Sequence, residues 1–170
     1  MLAADEAEEA PLPAGGPYPI SYTREQAADP MSLIASFAHS ASHYLLYAAD
    51  EEPPGEEDER DAVVEVSAVM MGFGVFVANA AFRFEQFDTG GLHGWSSATV
   101  GALDEAALGY ALAVYVELTA TEVAPVLAHL TPNPRAAFKW ARGQLQGRRR
   151  TTIERLAAIV PEPRDAAPYR

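Results

Sequence analysis

The chain has 170 residues, 49% of them apolar, a net charge of −12 and no cysteine. One domain is the simplest reading at this length, and such a chain buries about two thirds of its unfolded surface. The absent cysteines exclude disulfides, thiol catalysis and cysteine metal sites, and the acidic balance argues against nucleic acid as a partner. Charge is unevenly spread. Residues 1–133 carry 21 acidic and three basic side chains, and residues 134–170 carry three acidic and nine basic ones. The basic C-terminal part suits either a solvated helix or a segment that docks on an acidic surface.

Residues 1–16 are rich in Ala, Glu, Pro and Gly without periodicity, which predicts a disordered acidic tail. Its first residues lack the basic and apolar regions of a signal peptide, so the cytoplasm is the expected compartment. The helical domain is expected over 17–160, with 161–170 frayed. Tyr18-Pro19-Ile20-Ser21-Tyr22-Thr23 alternates weakly, and its proline points to a short edge strand or an extended arm.

Asp29-Pro30 is a helix start, with Asp as N-cap and Pro at the first helical position. The helix should run to about residue 49. At about 100° per residue, Leu33, Ile34, Phe37, Ala41, Tyr44 and Leu45 share an apolar stripe, and His39 and His43 lie off it. Residues 50–59 form an acidic loop with seven carboxylates. A second helix is expected over about 60–84. Its run 66–78 is apolar all round, which marks either a buried core helix or a membrane span. Spanning needs about 20 apolar residues, and Glu65, Ser67 and Asn79 shorten the run, so it reads as the buried centre of a mainly α bundle.

Residues 83–102 form a long connection with His93 and Trp95, where His93 reads as a structural loop residue. Asp104 then caps a helix over 105–119, with Leu108, Leu112, Tyr115 and Val116 on its apolar side. A short helix follows over 121–130 with Pro125 in its first turn, and His129 reads as a favourable charge at a helix C-terminus. Asn133-Pro134 repeats the Asp29-Pro30 device and should start a helix through Phe138, Trp140, Ala141 and Leu145. Trp140 reads as core and Arg135 as the partner of a nearby acid. The segment 148–160 continues that helix or forms one more.

Two histidines at i and i+4, His39 and His43, stack on one helical face, which is the spacing of a helical zinc site. The same spacing fits two ordinary surface histidines. A third ligand is available in Glu65, near the start of the next helix, and Asp61 one turn earlier fits a ligand or a partner for a histidine's second nitrogen. In H-E-x-x-H enzymes the Glu is the general base for the zinc-bound water, and here that position is Ser40. A serine hydroxyl is not basic at neutral pH, and losing a general base lowers rate by roughly 10²–10⁴-fold.

Four segments, in order, resemble a bacterial family of small, mainly helical proteins with an H-E-L-x-H helix, similar to gluzincin-type zinc metallopeptidases. They are Asp29-Pro30-Met31-Ser32-Leu33-Ile34 running on to His39-Ser40-Ala41-Ser42-His43, then Gly72-Phe73-Gly74-Val75-Phe76-Val77-Ala78-Asn79. Gly101-Ala102-Leu103-Asp104-Glu105 with Leu108-Gly109-Tyr110-Ala111-Leu112-Ala113 follows, and then His129-Leu130-Thr131-Pro132-Asn133-Pro134-Arg135. The resemblance covers about residues 18–146 and implies metal-dependent hydrolysis without naming a substrate. It breaks at the chemistry, because the family's glutamate is Ser40. The expectation that follows is a catalytically degenerate relative that retains a zinc site and binds a protein or peptide partner. The alternatives are an active hydrolase with Glu65 or Asp61 as base, and a helical interaction protein without metal.

Overall fold

The computed structural model describes residues 20, 22, 24–49, 52–85, 102–147 and 149–159. Every regular element among them is helical, and the fold is a mainly α bundle. The expectations for 1–16 and 161–170, and for His93 and Trp95, lie outside the described residues. Ile20 and Tyr22 adopt no regular structure, so the expected strand is not formed there. Tyr22 instead sets its ring edge-on to Phe37, with centroids 5.9 Å apart, as an arm laid on the first long helix.

A short helix α1 (Arg24–Ala28) leads into α2 (Pro30–Tyr47). Asp29 caps α2 as its sequence demands: its carboxylate accepts from the Met31 amide at 3.2 Å and from the Ser32 hydroxyl at 2.7 Å. The buried face of α2 is not the expected stripe. Ala38 and Ser42 are the fully buried positions, while Tyr44 and Leu45 are exposed. Small side chains let α2 approach its neighbours closely, and that contact outweighs the larger apolar residues round the helix.

After a 3-10 turn (Glu57–Glu59), the expected single helix over 60–84 is two helices, α3 (Arg60–Ala68) and α4 (Gly74–Glu85), joined by a π turn (Val69–Phe73). Gly72 sits there at φ +96°, a conformation that side chains with a Cβ rarely adopt. A Cβ on it would also lie 3.2 Å from the Tyr115 hydroxyl. Within Glu57–Ala81 an 18-residue window has mean hydropathy 1.7, so by length and composition the element could cross a membrane, yet 33% of that window is buried in the bundle. Val66, Met70 and Met71 remain exposed, so this element is a partly covered wall and not the buried centre that its composition suggests.

The centre is α5 (Glu105–Thr119), whose Leu108, Leu112, Ala113 and Val116 are buried. Asp104 caps it through the Ala107 amide at 2.8 Å. Its main partner is α7 (Pro132–Gln146), which contributes Phe138, Ala141 and Leu145. Gly109 faces Ala137, and eight residues further on Glu117 pairs with Arg142 at 2.8 Å. Contacts thus advance together along both helices, so α5 and α7 run in the same direction. That pairing requires a return segment, which is α6 (Val123–His129). The helix α8 (Arg150–Ala157) closes the bundle with Ile153 and Leu156 against the core.

Three expectations about α7 change. It begins at Pro132 with Thr131 as N-cap, two residues ahead of the expected Asn133 cap and Pro134 start. Trp140 is 60% exposed, because Phe138, Ala141 and Leu145 take the buried face. Arg135 donates to the Leu130 carbonyl at 2.7 Å and, among the described residues, pairs with no acid.

Candidate functional site

The Asp29-Pro30 start fixes where α2 begins, and ten residues on it presents His39 and His43 one turn apart on the same side. Their ring centroids are 6.2 Å apart and the rings are tilted by 54°. His39 is half-buried beside the α2–α3 contact, and His43 is exposed. Burial holds the His39 imidazole below its ordinary proton affinity, the nearby His43 charge adds to that, and Asp61 partly restores it. Asp61 is exposed in the first turn of α3, close enough for its charge to act on both His39 and Glu65. Ser40 lies between the histidines in sequence and is half-buried.

Glu65 occupies a different setting. It is 5% exposed, and its two oxygens accept the backbone amides of Ala102 at 3.1 Å and Leu103 at 2.9 Å. Those amides lie just ahead of Asp104, so Glu65 fastens the entry of α5 to α3. Burial pushes its carboxyl above the usual range, the two amide bonds pull it down, and Asp61 pushes it up again.

Whether this set suits zinc turns on the third ligand. Two imidazoles on one tetrahedral zinc, with Zn–N of about 2 Å, hold their ring centres about 5 Å apart. The His39 and His43 centroids stand at 6.2 Å, about 1 Å wider than that. Glu65, however, faces the α5 entry with both oxygens engaged. Among the described residues no three His, Asp or Glu side chains are grouped to hold a metal ion.

Two other contacts were not legible as site features. The buried Ser42 hydroxyl, beside His43 in sequence, donates to the Met71 thioether at 3.4 Å. Asn79, at the end of the apolar run, donates to the His129 carbonyl at 2.8 Å and accepts from the Thr131 amide at 2.9 Å and hydroxyl at 3.1 Å. A polar residue closing an apolar helix was the signal for the second. The first had none, since Ser42 and Met71 are 29 residues apart. Comparison with protein-family models, curated proteins and solved structures gives no match.

Proposed function

We propose that this chain is a non-catalytic binding module on a metallopeptidase-like helical scaffold, with the cytoplasm as its expected compartment and a protein or peptide as its partner. The observation that carries the reading is the buried Glu65 carboxylate, bonded to the amides of Ala102 and Leu103. A general base must come within hydrogen-bond reach of the water or group that it deprotonates. Both Glu65 oxygens are engaged by backbone amides, and Ser40 stands where an H-E-x-x-H helix has its glutamate. Exposed Leu45 and Tyr47 on α2, and Val66 and Met70 on α3 and the π turn, supply apolar surface suited to a polypeptide partner.

A quenched-fluorophore peptide pool, incubated with untagged protein and added zinc, tests this. Wild type should release no more fluorescence than buffer, and Glu65→Gln and Asp61→Asn should match it. Zinc-dependent turnover by wild type that either substitution abolishes would overturn the reading in favour of an active hydrolase.

A further inference from the structure

Ser42 is fully buried where α2 meets the π turn, and its hydroxyl holds the Met71 sulfur at 3.4 Å. Met71 is also 38% exposed, so its side chain spans from that buried hydroxyl to solvent. His39 lies three residues before Ser42 on the same helix, and His43 follows it directly. Helical neighbours at i and i+3 keep their Cβ atoms about 5–6 Å apart. The Ser42 hydroxyl therefore holds a thioether on the side of α2 that His39 shares one turn earlier, with His43 as the adjoining residue.

Glu65 is engaged at the α5 entry and Asp61 is an exposed carboxylate on α3, so the donors on α2 and the π turn are two borderline imidazoles and one soft thioether. Thioether ligands select copper(I), imidazole suits copper as well, and zinc gains little from a neutral sulfur. We propose that His39, His43 and Met71 form a copper(I) site, with the Ser42 hydroxyl fixing the sulfur at the contact between α2 and the π turn. This goes beyond the binding-module reading and does not depend on it. A chain that hydrolyses peptides could lack the copper site, and a chain that hydrolyses nothing could carry it.

The test is a competition titration of the full, untagged chain, kept anaerobic and reduced, against copper(I) held by a chromogenic chelator. Wild type should withdraw one copper(I) per chain. Met71→Leu conserves volume, and a Leu–Met exchange is well tolerated in packed sites. It should nonetheless weaken binding by at least about 10–100-fold, the loss that even an outer-shell partner causes. His43→Ala, at an exposed position, should weaken it comparably. X-ray absorption should show copper–sulfur scattering in wild type and none in Met71→Leu, with circular dichroism unchanged. Failure to withdraw copper, equal affinity in Met71→Leu, or a sulfur-free spectrum would each overturn the site.

Discussion

Glu65 is buried and His39 is half-buried, and burial moves their proton affinities in opposite senses. Glu65 titrates above its unfolded value, so the folded chain keeps that proton longer than the unfolded chain does. Its contribution to stability is fully present below the unfolded pKa and is lost as pH rises through the raised native one. His39 titrates below its ordinary value of 6.5. Its contribution is present above that value and is lost as pH falls through the lowered native one. Urea unfolding followed across pH should separate the two. Glu65→Gln should flatten the decline on the rising side, and His39→Gln the decline on the falling side. Unchanged slopes in both variants would show that burial of these groups has been misassigned. The residue scale was also the least legible in sequence. Glu65 and His43 are 22 positions apart, and spacing alone made them neighbours. What decides the geometry is a pair of amides at 102 and 103, and a backbone amide carries no sequence signature.

Elements set by local chemistry were readable, and those set by contact were not. The limits of α5 follow from Asp104 and the apolar run behind it. The start of α2 follows from Asp29-Pro30, and both match the structure. The break between α3 and α4 has no such local cause. It arises where Gly72 turns to φ +96° under the Tyr115 hydroxyl and Gly74 meets Leu112. A Cβ at Gly74 would lie 2.8 Å from Leu112 Cδ1, a crowding that only the folded bundle creates. The substitution Gly72→Ala should therefore destabilise by about 1–2 kcal/mol, the penalty for placing a Cβ in the left-handed region. Chemical denaturation checks this, and an unchanged midpoint would mean that the π turn is not fixed by that backbone conformation. The α2 stripe failed for a related reason. Periodicity ranks faces by apolar content, while close packing chose the narrow Ala38–Ser42 side.

Across the whole molecule, same-direction packing of α5 and α7 forces the chain to return through α6, and Asn79 secures that return. Its buried amide joins α4 to the last carbonyl of α6 and to the N-cap of α7. The substitution Asn79→Ala leaves these groups without partners at the junction. These bonds are half-buried, and each is worth about 0.5–1.5 kcal/mol. It should lower the thermal midpoint more than Asn133→Ala, which changes an exposed residue in the same turn. Equal midpoints would remove Asn79 as the fastener. The charge asymmetry also has a structural counterpart. Arg142 pairs with Glu117, and the Arg149 guanidinium lies 5.6 Å from the Tyr110 ring centroid, so part of the basic C-terminal region engages α5. The mainly helical class was readable from periodicity. The identity of the central helix was not, because the most apolar segment is the kinked wall and α5 holds the middle.

Glu65 fastens the entry of α5 through both carboxylate oxygens, and on the proposed reading it is not a metal ligand. Calorimetric zinc titration of untagged wild type and Glu65→Gln tests this directly. The predicted result is weak zinc binding of the same strength in both proteins, set by the imidazole pair alone. Tight zinc binding by wild type that Glu65→Gln weakens by about 10–100-fold or more would contradict it, since that is the effect of removing a residue that builds a metal site.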